Sequence, residues 1–247
     1  MGRMHDALNK AAEHRDQQRG NGAAQDAGAA APEAARAAWR VDARLIGFTT
    51  PRDPRCEEFR RLRTALQRMS PQPKVVTFAG IGDSEQCAVL VANVAAAFAE
   101  GGGTRVLVLD GDIRGGSLDA LLATRRSPGV AEALGSGFDR AAVQASAIPG
   151  VDLLPAGDAG RVSSGMVSTA STAALFAQAR GGWDFVLVHA PALEASADAE
   201  VLGASSDGLV LVIEVGHDPR QRAEQAIERL SRSGVAVLGA VSVTRGA

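Results

Sequence analysis

Tyrosine is absent from the 247 residues, and of 26 basic residues only Lys10 and Lys74 are lysines. The first absence excludes any chemistry on a phenol of the chain itself. The second leaves almost no ammonium group to serve as a phosphate-binding point charge. Cysteine is as scarce: Cys56 and Cys87 stand alone with no C-x-x-C spacing, which argues against a disulfide framework or a metal knuckle. Neither sign of charge dominates, since the formal net charge is −2 with 22% charged residues, so no overall field draws the protein to nucleic acid or anionic lipid. The longest apolar run, "AVLVANVAAAFA", has 12 residues and is too short to cross a bilayer. The opening "MGRMHDALNK" lacks the apolar core of a secretion signal, so the expected location is the cytoplasm, with no direct transmembrane segment.

What is present divides into three parts. Residues 1–18 place Met1, Met4, Leu8 and Ala11 at helical spacing, a short amphipathic segment. Residues 19–40 are rich in Ala and Gly, have few large apolar side chains to offset the entropy of ordering, and read as a flexible linker. From residue 41 to 247 the pattern alternates. "RDPRCEEFRRLRTAL" carries Phe59, Leu62 and Leu66 on one helical face and stops at the prolines of "SPQPK". The runs "KVVTFAG", "TRVLVLDGD", "VDLLPAG", "WDFVLVHAP", "DGLVLVIEV" and "VAVLGAVSV" are short, apolar and closed by Gly, Asp or Pro, with helical stretches between them. Near-continuous apolar strands alternating with helices predict an α/β fold with a doubly wound, mostly parallel sheet. Ligands of such sheets sit at the carboxyl ends of the strands, which directs attention to the residues after "VVTFAG", "VLVLD" and "FVLVH".

These strand ends, in this order, together with "EEFRRLRTAL", "LLPAG" and "LGAVSV", resemble the bacterial tyrosine-kinase family of capsule and exopolysaccharide assembly, a branch of the ParA/MinD-type P-loop ATPases. The resemblance covers about residues 41–247 and implies a P-loop NTPase-like domain. It places Glu57, Arg60 and Arg63 on a helix that packs between subunits of a ring, Asp110, Asp112 and Arg114 on an acidic strand motif, and Pro191 and Asp198 after the Walker B strand. Residues 80–89, "GIGDSEQCAV", fall where the phosphate loop belongs, with Gly80, Gly82, Asp83, Ser84, Glu85 and Gln86 as its members.

The motif that carries the chemistry departs from the pattern. With Asn93 as anchor, Cys87 falls on the loop lysine, Gln86 on the preceding glycine, and Ala88 and Val89 on the serine and threonine. A working loop cradles phosphates on backbone amides, reaches them with the lysine and holds Mg²⁺ through the hydroxyl. Asp83 is expected to accept the amides at the helix start, with Gln86 completing a capping box, and so to occupy the groups that a phosphate would use. Lys74 starts a strand of about six residues at ~3.3 Å each, which puts it roughly 20 Å from the loop. His189 replaces the Walker B aspartate and offers Mg²⁺ neither charge nor hard oxygen; it reads as a polar residue at a strand end. Asp110 and Asp112 read as caps of the turn before "GGS", and Cys87 as packing filler in place of a reactive thiolate. Val243 falls near an asparagine that helps the family hold adenine.

The expectation is a non-catalytic relative of the exopolysaccharide tyrosine kinases, without bound metal or cofactor. It would act as a regulatory or scaffolding subunit of polysaccharide synthesis or export, at the inner membrane through a partner. The expected partners are the membrane chain-length regulator (a polysaccharide co-polymerase), an active kinase paralogue, or further copies of the chain; nucleic acid is not among them. The alternatives are an ATP- and Mg²⁺-dependent kinase or ATPase with an unorthodox site built on Asp110, Asp112 and an arginine, and a MinD-like positioning protein anchored by residues 1–18.

Overall fold

In the computed structural model, which describes residues 41–158, 160 and 165–245, the six apolar runs all become parallel strands of one sheet. The expected amphipathic segment and linker, residues 1–40, lie outside the described residues. In chain order the elements are α1 (Ile46–Thr49), α2 (Cys56–Gln67), β1 (Val75–Gly80), α3 (Glu85–Ala99), β2 (Val106–Asp110), α4 (Leu118–Leu121), α5 (Val130–Ser136), a 3₁₀ turn (Arg140–Ala142), β3 (Gln144–Ala145), β4 (Val151–Leu154), α6 (Thr169–Gly182), β5 (Phe185–His189), α7 (Asp198–Ser205), β6 (Gly208–Glu214), α8 (Arg220–Arg232) and β7 (Val237–Val243). The sheet runs β3-β4-β2-β5-β1-β6-β7, and only the two-residue β3 is antiparallel.

Period-two alternation splits each central strand between two cores. Val76, Phe78, Val108 and Leu187 face α3, whereas Val75, Leu107, Val186 and Val188 face the layer of α6, α7 and α8. Every residue of β1, β2 and β5 is buried, which is why these strands read as unbroken apolar runs. Helix α3 is buried from Cys87 to Ala99 except for Val89, because the sheet covers one side and α1 and α2 the other. Its alanines keep it slim enough for that double contact. Its one buried polar side chain, Asn93, accepts the Gly47 amide at 2.9 Å and donates to the carbonyls of Arg44 at 3.0 Å and Val89 at 2.9 Å, tying α1 down.

The amino end of the sheet is secured separately. Asp207 accepts the amides of Lys74 (2.7 Å) and Val75 (2.8 Å) and a two-pronged contact from Arg180. Nearby, the buried indole of Trp183 donates to Asp152 at 2.7 Å, and the guanidinium groups of Arg140 and Arg105 lie 5.0 and 5.8 Å from its ring centroid. Lys74 therefore sits at the end of β1 away from the phosphate loop, as its place in the strand predicts.

Candidate functional site

Strand order brings the three sequence-predicted ends together: β2 lies beside β5 and β5 beside β1, so that Asp110 pairs in register with His189 and His189 with Phe78. The loop after β1 then folds over them. A Cβ on Gly80 would stand 2.1 Å from the carbonyl oxygen of Asp83, so only glycine permits the loop to return this closely onto its strand. Leu193 and Glu194, in the segment following β5, donate their amides to the carbonyls of Gly80 (2.9 Å) and Ile81 (3.0 Å) and run alongside.

The centre of the site is His189, which is fully buried. Its Nδ1 lies 3.0 Å from Asp110 Oδ1 and its Nε2 lies 3.0 Å from the carbonyl oxygen of Ser84. Both partners only accept, so the ring satisfies both when each nitrogen carries a proton, the imidazolium form. Burial works against that charge, but the Asp110 hydrogen bond and the fields of Asp110 and Asp112 outweigh it and raise the His189 pKa above the ordinary histidine range.

The aspartates are engaged as well. Asp110 also accepts the amides of Asp112 and Leu118, each at 3.3 Å. Asp112 accepts the Gly115 amide at 2.9 Å and the Ser84 hydroxyl at 3.0 Å, so both carboxylates brace the turn that leads to Ser117. Arg114 and Asp198, which the resemblance picks out independently, pair with each other at 2.6 Å. Among the described residues no group of three or more His, Cys, Asp or Glu side chains is arranged to hold a metal ion.

Ser84, rather than Asp83, is the N-cap residue of α3, and of the amides at the helix start Asp83 accepts only that of Glu85, at 2.8 Å. The expected pairing of Asp83 with Gln86 is replaced by one with Arg245, whose Nη2 reaches Asp83 Oδ2 at 2.7 Å while its Nε reaches Glu214 at 2.6 Å. Around Gly82 stand Glu194, Asp218 and Arg222; Asp218 Oδ2 accepts the Glu214 amide at 2.8 Å, and its Oδ1 is buried without a hydrogen-bond partner among the described residues. Carboxylates thus crowd the mouth of the loop. Cys87 is fully buried against the sheet, and burial pushes its thiol well above the ordinary range, which makes it a packing group. Ala88 is equally buried.

Glu57, Arg60 and Arg63 share helix α2, but the two arginines turn inward. Arg60 bonds both oxygens of Glu100, together with Glu57 and the Pro51 carbonyl. Arg63 donates to the Ala97 carbonyl at 2.6 Å. They neutralise and cap the carboxyl end of α3, while the Glu57 side chain stays 58% exposed.

No protein-family model matches the chain. Among curated proteins it is 30% identical over 206 residues to the tyrosine-protein kinase YwqD of Bacillus subtilis, covering 82% of this chain and 86% of that one. The chain belongs to the bacterial tyrosine-kinase family of capsule and exopolysaccharide assembly. It is also 28% identical to the tyrosine-protein kinase wzc of Salmonella typhimurium and 27% identical to the succinoglycan biosynthesis transport protein ExoP of Rhizobium meliloti, but spans only 28% and 26% of their lengths. Among solved structures it matches the kinase domain of the Escherichia coli tyrosine kinase ETK with a TM-score of 0.74 at 25% identity, over 82% of this chain and 81% of that one. A cell-division ATPase MinD from Pyrococcus furiosus matches with a TM-score of 0.59 at 20% identity, over 69% and 71% of the two chains, a likeness of fold.

The sequence singles out Gly80, Gly82, Asp83, Ser84, Asp110, Asp112 and His189 at the three strand ends of this kinase-family domain but not the further charged residues gathered around the loop. Glu194 follows β5, Glu214 ends β6, Asp218 lies in the loop after it, Arg222 is in the first turn of α8 and Arg245 follows β7. One signal was available for Arg245: it lies two residues past a parallel strand, and so at the same sheet end as the loop.

Proposed function

We propose that the chain is a non-catalytic member of its family, a regulatory or scaffolding subunit of polysaccharide synthesis or export that works by contact and not by phosphoryl transfer. The observation that carries this is His189, held between Asp110 and the Ser84 carbonyl where the family's pattern has an aspartate. Further support comes from Cys87 and Ala88 at the lysine and serine positions and from the carboxylates of Asp83, Glu194 and Asp218 at the loop. Phosphoryl transfer rests on positioning and on positive charge around the phosphates; Cys87 and Ala88 offer neither the charge of a lysine nor a hydroxyl, and the neighbouring Arg245 and Arg222 are already engaged by Asp83, Glu214 and Glu194. They do not fit a magnesium triphosphate. The proposed partner is a membrane chain-length regulator or an active kinase paralogue. In its favour, the matched region makes up 28% of wzc and 26% of ExoP, so in those proteins it is joined to a large further part. Among the described residues no helix is long and apolar enough to cross a membrane, so attachment at the inner membrane is proposed to run through that partner.

The test is calorimetric titration of the full chain with ADP and ATP, with and without Mg²⁺. Absence of binding at millimolar nucleotide is expected; micromolar, Mg²⁺-dependent binding would overturn the reading. A second reading, an ATP-dependent kinase or ATPase with an unorthodox site, is favoured by the names of the relatives, all kinases or transport proteins. Under it, Arg114→Ala abolishes turnover; under the first reading that variant loses only an exposed ion pair with Asp198.

A further inference from the structure

An aspartate at position 189 would set a second carboxylate against Asp110 in a fully buried place, an arrangement that only a divalent cation or a proton makes tolerable. Beside an ionised Asp110 a neutral imidazole is no better: whichever nitrogen lacks a proton would point its lone pair at an oxygen 3.0 Å away, either Asp110 Oδ1 or the Ser84 carbonyl. The charged groups acting on the ring are Asp110 and Asp112, both negative; on its other side is the Ser84 carbonyl. With both carboxylates ionised, the positive charge comes from the ring itself.

We propose that His189 is a permanently protonated imidazolium, a cation built into the chain, which holds the phosphate loop in one conformation without metal or nucleotide. This rests on the non-catalytic reading above and adds to it what fixes the site. Its reach follows from its partner. The Ser84 carbonyl also accepts the Ala88 amide at 2.9 Å, so the ring bonds to the first turn of α3. The far end of the same helix holds Arg60 and Arg63 through Glu100 and the Ala97 carbonyl, and its middle holds α1 through Asn93. The surface presented by α1 and α2 is thereby kept in one arrangement whatever the nucleotide supply.

The experiment is nitrogen NMR of the histidine rings in the full chain, with His189 assigned by its loss in His189→Asn. Both ring nitrogens are expected to be protonated, with shifts unchanged from about pH 6 to 8, the window in which an ordinary histidine titrates. Addition of Mg²⁺ and ADP should leave them unmoved. A singly protonated ring, or a titration inside that window, would overturn the proposal. Asp110→Asn should bring the ring back to titrating there and make the amides of residues 81–88 exchange about tenfold faster. Unchanged exchange in folded Asp110→Asn protein would sink the holding role. Should that variant not fold, His189→Asn, which can donate to one of the two acceptors at a time, gives the same exchange readout. The ring is observed without nucleotide, so ATP binding by a protein with doubly protonated His189 would overturn only the non-catalytic reading. A neutral ring in a protein that binds no ATP would overturn only this one.

Discussion

Arg60 and Glu100 meet in a two-pronged contact, Nε to Oε2 at 2.8 Å and Nη2 to Oε1 at 2.7 Å, across 40 residues of sequence. The Arg60 hydrogen bond holds the Glu100 carboxyl below its ordinary pKa. A lowered carboxyl pKa contributes stability that is fully present above the unfolded value and is lost as pH falls through the folded value. Glu100→Gln is therefore expected to lower the urea midpoint at neutral pH, and the two proteins should converge in acid, below the ordinary glutamate range. A double-mutant cycle with Arg60→Ala should show favourable coupling that shrinks with added salt.

Asn93 makes three hydrogen bonds from a stretch of α3, Cys87–Ala99, that is otherwise apolar. Asn93→Ala leaves the Gly47 amide and the Arg44 carbonyl without this partner and is expected to cost about 1–3 kcal/mol. Denaturant unfolding measures the loss, and faster exchange of the Gly47 amide would locate it at α1.

Gly80 has no room for a methyl group, since the Asp83 carbonyl would lie 2.1 Å from it. Gly80→Ala must push the loop outward and is expected to cost about 1–3 kcal/mol or more. A variant as stable as the parent, measured by thermal unfolding, would mean that the loop is not closed on its strand.

Cys87 lies fully buried, and burial raises its thiol pKa. In the folded protein it should stay unreactive toward a thiol reagent up to about pH 9, beyond the point where a free cysteine is largely thiolate. Labelling of this residue should follow the kinetics of unfolding, which mass spectrometry of the modified peptide would reveal.

The sheet was legible in the sequence because its parallel strands are mostly apolar: β1, β2 and β5 are buried throughout and β6 nearly so, which makes them unbroken runs, while β4 is interrupted at Asp152 and the edge strand β7 is apolar in the main although only partly buried. The exception is β3: two half-buried residues, Gln144 and Ala145, paired antiparallel to β4, carry too short a pattern to register. The predicted members of the site were legible for the same reason, since Gly80, Asp110 and His189 end strands and the rest lie shortly after them. Their bonds were not. His189 reads as an isolated polar residue until strand order sets β5 against β2, and Asp83 reads as a helix cap until Arg245, 162 residues away, is folded onto it. Arg60 and Arg63 show the reverse limit. Apolar spacing put them on one helix and the resemblance put them at a subunit contact, but their bonds to Glu100 and the Ala97 carbonyl at the end of α3 are a tertiary matter.

The packing at Trp183 has a practical result. With no tyrosine in the chain and only two tryptophans, ultraviolet emission carries very few sources. One of them is an indole shielded from water, bonded to Asp152 and flanked by two guanidinium groups at the sheet end away from the phosphate loop. Its emission would report the integrity of that end without any added dye, and a change confined to the loop would leave it dark to the observer.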